Sequence, residues 1–271
     1  MRVTLYPTAE SLEQAVLAGG TAVVFDVLRA TSTIVTALAH GCRGVVTVVD
    51  PAEAQEVAAR LAGENIPVLL AGERGGEKIP GFPHGNSPLE FRPEVVGGRM
   101  LVLTTSNGTR ALNLAAGRAG TVLVGSLLNA RAVAREACRL GRDVILACAG
   151  TQGEFSLEDA LGAGMVVLEM VKMADPGCLY PAPGASGLDL SDFAVAALHL
   201  ALAYKDNPRR AFDHSLHGRK LFSMGLAADL DWCASLNTCE VVPVVGEGKE
   251  IIPGCPVIVR SRYLCAPSVR E

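Results

Sequence analysis

The stretch VLTTSNGTRAL, from Val102 to Leu112, opens as an apolar run that reads as a buried strand. It breaks into Thr104, Thr105, Ser106, Asn107 and Gly108, then passes through Thr109, Arg110 and Ala111 into helix-forming residues. A strand that turns directly into a helix over small hydroxyl and amide side chains is a βα junction, and the same junction recurs along the chain.

Short apolar runs rich in Val, Leu and Ile occupy 2–6, 21–28, 44–49, 67–72, 100–105, 121–126 and 143–150. Between them lie ESLEQAVLAG, STIVTALAHG, AEAQEVAARL, ALNLAAG, NARAVAREACRL and SLEDALGAGMVVLEMVKM, each with apolar residues three and four apart. Runs that are nearly continuous rather than alternating indicate strands covered on both faces. The expected fold is therefore α/β, a three-layer α/β/α arrangement with a mainly parallel sheet. DPGCLYPAPGASG, from Asp175 to Gly187, is dense in Pro and Gly and reads as a long surface connection. It divides an α/β core at 1–174, carrying most site loops, from a region at 188–271 expected to pack on the same core. In that second region, helices at about 189–205 and 208–237 precede EVVPVV and PVIVR, late strands expected at a sheet edge or in a small subdomain.

Of 271 residues, 49% are hydrophobic but only 4% aromatic, so the core is aliphatic and large enough for one substantial domain. With 24 Lys+Arg against 28 Asp+Glu the formal net charge is -4, which argues against nucleic acid as a partner. A local basic cluster for a small anion stays open. The opening MRVTLYPTAESLEQAV lacks the pattern of a secretory or transit segment, so a cytoplasmic location is expected. FAVAALHLALAY, from Phe193 to Tyr204, is too short for a membrane span and suits a core helix. The cysteines at 42, 138, 148, 178, 233, 239, 255 and 265 form no CxxC or metal-finger spacing and read as free thiols; pairing of Cys233 with Cys239 is the alternative. A homo-oligomer is expected on base rates alone.

In a parallel sheet, ligands bind beyond the carboxyl ends of the strands, where helix N-termini converge. Four such turns carry acids, arginines and hydroxyls. DVLRATST has Asp26, Arg29, Thr31, Ser32 and Thr33. GERGGEKIPGFPHGNSP has Glu73, Arg74, Lys78, His84, Asn86 and Ser87. TTSNGTRA spans Thr104 to Ala111. TQGEFSLED has Thr151, Glu154, Ser156, Glu158 and Asp159. Each piece also has a plainer explanation. Ser106 or Asn107 is a reasonable helix cap, and SLED fits a capping box in which Asp159 returns to the backbone of Ser156. Arg29 and Arg74 could form surface ion pairs, and His214 and His217, three apart without a third ligand motif, read as structural or as groups that support other site residues from behind. Convergence in space is what raises the set above these explanations. TTSNGTRA then reads as a phosphate cradle, with Arg110 binding the anion or packing behind it.

Familiar phosphate signatures are absent. GERGGEK comes nearest to GxxxxGK[ST] but has Glu77 where the second glycine should be followed by lysine, and no GxGxxG follows a strand. CAGTQGE has Glu154 where a cysteine-dependent phosphatase needs arginine. FDVLRATST has Leu28 where aspartyl-phosphate phosphatases carry a second aspartate.

DVLRATSTI, GERGG with the following GF and GNSP, TTSNGTRA, CAGTQGEFSLED and a late SxxGRKLxxxGxxxDLxxC together resemble the 2-phosphosulfolactate phosphatase family of coenzyme M biosynthesis, over roughly Asp26 to Pro243. The resemblance implies a Mg²⁺-dependent phosphomonoesterase acting on (R)-2-phospho-3-sulfolactate to give 3-sulfolactate and phosphate. Phosphate, carboxylate and sulfonate bring about four negative charges, for which Arg29, Arg74, Lys78 and Arg110 are candidate partners. Mg²⁺ favours oxygen ligands, often one or two carboxylates. Asp26 is the first candidate ligand, with Glu73, Glu158 and Asp159 competing for the second place. The expected catalytic residues are Asp26, Glu73 and Arg29. Arg74, Asn86, Ser87, Thr105, Ser106, Asn107, Gly108, Thr109, Arg110 and Thr151 are expected to bind substrate, and Asp26, Glu158 and Asp159 the metal. A phosphatase of another phosphorylated 2-hydroxy acid, or a non-catalytic protein binding an acidic metabolite, are the competing readings.

Overall fold

In a computed structural model of the chain, the residues described are 1–13, 15, 17–176, 187–246 and 256–261. The first part runs β1 (Arg2–Tyr6), α1 (Ala9–Glu13), β2 (Thr21–Phe25), α2 (Ala30–Ala39), β3 (Gly44–Thr47), α3 (Pro51–Gly63), β4 (Val68–Arg74) and β5 (Glu77–Lys78). It continues with α4 (Pro93–Val96), β6 (Met100–Thr104), α5 (Gly108–Ala116), β7 (Thr121–Gly125), α6 (Ala130–Leu140), β8 (Val144–Cys148) and α7 (Leu157–Ala174). Then follow β9 (Asp189–Leu190), α8 (Asp192–Tyr204), α9 (Pro208–His214), α10 (Leu216–Ser223), α11 (Ala227–Cys233), β10 (Pro243–Val245) and β11 (Val257–Arg260).

The strands join one sheet in the order β5-β4-β6-β3-β11-β10-β7-β2-β8-β1-β9. Two blocks are parallel, β4-β6-β3 and β7-β2-β8-β1-β9. The fold is α/β with a mainly parallel sheet, as the alternation requires. Strands β2, β3, β6 and β8 are buried along their whole length, which follows from helices on both faces. Alternate residues separate the layers: Ala22, Val24, Val45, Leu101 and Leu103 pack with α2 and α5. Val23, Phe25 and Leu146 face α6, α7 and α8, while Val46, Met100 and Val102 face α3.

The late strands are not at an edge. β11 pairs antiparallel with β3, β10 antiparallel with β7, and the two pair antiparallel with each other, so they fill the middle of the sheet. Three successive antiparallel steps reverse strand polarity between the blocks. In a flat sheet this would send their carboxyl ends to opposite edges. Turns from both blocks nonetheless line one cavity. Residues on both sides of the Asp175–Gly187 connection thus contribute to one sheet; the connection itself, at 177–186, lies outside the described residues.

The helix expected over 208–237 is three helices. Ser215 leaves helical geometry with ψ 151° and caps α10 by accepting from the Gly218 N–H at 2.8 Å; Gly225, at φ +80°, ends it. FAVAALHLALAY lies within α8 and buries Ala194, Ala197, Leu198 and Ala201 against α7. The crossing is so close that a Cβ on Gly164 would collide with the Ala197 carbonyl. Among the described residues no helix is long and apolar enough to cross a membrane. Cys233 and Cys239 are not bonded to each other; with Cys42, Cys138 and Cys148 they are free thiols.

Candidate active site

A cavity of about 500 Å³ opens where the turns after β2, β4, β6 and β8 meet α10 and the residue before it. Asp26, Arg29, Glu73, Asn86, Ser106, Asn107, Thr151 and Glu158 line it together. The geometry begins at Asp26, one residue beyond β2. Thr31 holds that turn with both its N–H and its hydroxyl on the Asp26 carbonyl, each at 2.9 Å. Ser32 donates to the Val27 carbonyl at 2.8 Å and Thr33 to the Asn86 carbonyl at 2.9 Å. The hydroxyls of DVLRATST therefore shape the turn and leave the carboxylate to face the cavity.

Gly108, first residue of α5, explains the opening motif. A Cβ there would lie 2.6 Å from Asp26 Oδ2 and 2.7 Å from the Ala30 Cβ. Only a glycine lets the N-terminus of α5 come up against Asp26 and the start of α2. Ser106 N–H and hydroxyl donate to Glu73, at 2.7 and 3.2 Å, and Gly76 N–H donates to the same carboxylate at 2.7 Å. Glu73 thus ties the SNG turn to the GERGG turn, and its oxygens are occupied.

Electrostatics follow from burial. Removal from water pushes the Asp26 carboxyl up to about 6, with Glu73 and Glu158 raising it further and His217 and the Ala30 N–H opposing. Glu158 is buried, and its Oε1 has no hydrogen-bond partner; the nearest base is His217, whose Nδ1 is 3.4 Å away. Asn86 Oδ1 is likewise buried without a partner. These orphaned oxygens, beside Asp26, are a donor set suited to a hard cation. Among the described residues no group of three or more His, Cys, Asp or Glu side chains is placed to hold a metal ion.

Arg29 is no surface pair. It is buried, donates from Nη1 to Asp229 Oδ2 at 2.6 Å and from Nη2 to the Gly76 carbonyl at 2.7 Å. Ser87 does not reach the cavity, because its hydroxyl donates to the other Asp229 oxygen at 2.6 Å. Arg74 turns away as well, bonded to the carbonyls of Glu73 and Val49, each at 2.7 Å, and to Thr104 Oγ1 at 3.0 Å. Arg110 neither binds in the cavity nor packs behind it, since it is engaged by Glu10 and Glu13 of the α1 helix. Thr105 and Thr109 bond each other across the first turn of α5. Lys78 and His84 are not on the cavity wall.

Asp159 accepts from the Val27 N–H at 2.8 Å and the Gly150 N–H at 3.1 Å, so it staples two turns, and it is not on the cavity wall. Burial, then Asp26 and Glu158, hold its carboxyl well above the usual carboxylate range. Ser156 caps α7 by accepting from Asp159 N–H at 3.2 Å, but Asp159 does not return to Ser156, and the capping box is half formed.

Sequence reasoning missed the contribution of the C-terminal helices. His214, Ser215, Leu216, His217 and Lys220 form one wall, opposite Gln152 and Phe155. The signal was present in SxxGRKL, where Lys220 sits among residues of a rare motif, but nothing in helical spacing says which cavity that face meets.

Residues 6–248 match the family described as 2-phosphosulpholactate phosphatase. The chain is 42% identical over 236 residues to a protein of Symbiobacterium thermophilum, covering 87% of this chain and 95% of that one. It is 38% identical over 236 residues to one of Thermotoga maritima, with 87% and 93% covered, and 35% identical over 254 residues to one of Clostridium acetobutylicum, with 92% and 99% covered. All three are named probable 2-phosphosulfolactate phosphatase. With its motifs in order around a single cavity, this chain belongs to the 2-phosphosulfolactate phosphatase family.

Proposed function

We propose that this protein is a Mg²⁺-dependent phosphomonoesterase that hydrolyses 2-phospho-3-sulfolactate to 3-sulfolactate and phosphate, within coenzyme M biosynthesis in the cytoplasm. The observation that carries this is the meeting of Asp26, the N-terminus of α5 and the buried Glu158 Oε1, which has no hydrogen bond and faces His217 Nδ1 at 3.4 Å, in one cavity. Asp26 and Glu158 would hold the ion, with the amide oxygen of Asn86 beside them. When bound, it would neutralise charge on the transferring phosphoryl oxygens.

The chain's own residues supply the rest. Asp26, on the cavity wall beside the N-terminus of α5, orients the attacking water and accepts its proton. Arg29 and the first N–H groups of α5 hold phosphoryl oxygens in line. As the bond from phosphorus to the C2 oxygen breaks, that oxygen takes a proton, and in this reading His217, which lines the cavity, gives it. Gln152 N–H donates to Asn107 Oδ1 at 3.3 Å, tying together two turns that line the cavity.

Phosphate release from 2-phospho-3-sulfolactate and from a panel of phosphorylated 2-hydroxy acids, with Mg²⁺ and with a chelator, tests the reading. Turnover dependent on Mg²⁺ and strongest with the sulfonated ester is expected. Equal rates across the panel would refute the substrate, and chelator-resistant turnover would refute the metal.

A further inference from the structure

We infer that Lys220 binds the sulfonate of the substrate and is the residue that selects for it; the inference rests on the substrate proposed above. Its starting point is a charge imbalance. The cavity wall carries the carboxylates of Asp26, Glu73, Glu154 and Glu158, against only two Lys or Arg side chains, Arg29 and Lys220.

Arg29 is already compensated, paired with the buried Asp229 at 2.6 Å and bonded to the Gly76 carbonyl. Arg74 and Arg110 are bound elsewhere. The Lys220 ammonium, by contrast, has neither a hydrogen bond nor an ion pair among the described residues. It lies over the Gly75–Gly76 turn, its Nζ 3.8 Å from where a Cβ of Gly75 would be. Arg29 reaches the same turn from the buried side, through Gly76. The two cations therefore mark an inner and an outer position along one wall.

The substrate has matching inner and outer charges. Its phosphate and carboxylate share carbon C2, whereas the sulfonate is one carbon further from the reacting phosphorus. With phosphate held beside Asp26 and Arg29, the sulfonate extends toward the rim, where the exposed Lys220 presents three N–H donors to three equivalent oxygens. A lysine in this place binds by charge without needing a planar partner.

The test uses wild type, Lys220→Met and Lys220→Arg on 2-phospho-3-sulfolactate and on 2-phospholactate, which lacks the sulfonate. Lys220→Met should raise KM for the sulfonated ester about 10- to 50-fold with kcat within about threefold, and change 2-phospholactate constants less than about twofold. Lys220→Arg should recover most of the loss. Equal losses on both esters, which would place the lysine on the phosphate, or no loss on either, would overturn the assignment. Wild type inactive on both esters would instead overturn the proposed reaction. Calorimetric titration of 3-sulfolactate would still decide the lysine, with tenfold weaker binding to Lys220→Met supporting it and equal binding refuting it.

Discussion

Gly108 and Asp26 touch: a single Cβ on the glycine would stand 2.6 Å from the aspartate's Oδ2. Alanine at the first turn of a helix ordinarily stabilises, by about 0.4–1 kcal/mol. Here it must displace the carboxylate or the Ala30 methyl, a strain of about 1–3 kcal/mol, and the steric effect wins. Gly108→Ala should lower stability by about 1–2 kcal/mol in urea and reduce kcat by about 10–100-fold through misplacement of Asp26. Unchanged kcat would show that the contact is not part of the site.

Asp26 makes metal-free stability depend on pH in a direction opposite to that of most carboxylates. Its ordinary value is 3.8, and the folded protein holds it at about 6. Between these values the folded state binds more protons than the unfolded chain, so stability falls as pH rises through the window and the penalty is complete above it. It amounts to something on the order of 2–3 kcal/mol. Asp26→Asn should therefore be more stable than wild type at pH 7 without metal, and nearly equal to it near pH 4, while losing activity. Urea unfolding at both pH values checks this, and an Asn variant weaker at pH 7 would contradict it.

Asp229 holds a buried charge in place. Removing it leaves the Arg29 guanidinium without its partner, which typically costs about 3–5 kcal/mol. Asp229→Ala should fall in that range, whereas the double change Arg29→Met with Asp229→Leu should recover most of the stability and none of the activity. Thermal unfolding beside phosphate release separates the two effects.

Ser156 and Asp159 organise the turns through bonds to backbone N–H groups. Ser156→Ala should cost about 1 kcal/mol with turnover within about twofold, the cost of a lost cap. Asp159→Asn keeps one acceptor for two buried N–H groups and should cost about 1–3 kcal/mol. Neither should alter the Mg²⁺ concentration for half-maximal rate; a tenfold shift with Asp159→Asn would put that residue among the ligands.

Much of this architecture was legible because burial on both faces writes itself into a strand as an unbroken apolar run, as in Val23, Val24 and Phe25. The place of β10 and β11 was not, since a short Val-rich strand reads the same at an edge as between two others. Four turns could be paired with one cavity from strand order alone, but the direction of long side chains could not. Arg110 stands inside the TTSNGTRA motif, yet its partners Glu10 and Glu13 lie about a hundred residues earlier and are distinguishable only once α1 meets α5. His217 escaped for the same reason, its neighbour Glu158 being on a different helix.

Attack by water on phosphorus and attack by Asp26 itself are separable by the stereochemical course at a phosphorus made chiral with oxygen isotopes. Direct attack is one in-line displacement and inverts the configuration. Retention, together with phosphate trapped on Asp26 by acid quench, would establish the covalent route.

The most direct measurement is phosphate release from 2-phospho-3-sulfolactate by wild type and Asp26→Asn, at saturating Mg²⁺, with folding verified for both. The wild type should turn over and the variant should lose at least about a thousandfold in kcat, as expected when the group facing the reacting atoms is neutralised. A folded Asp26→Asn protein within about tenfold of wild type would contradict the account.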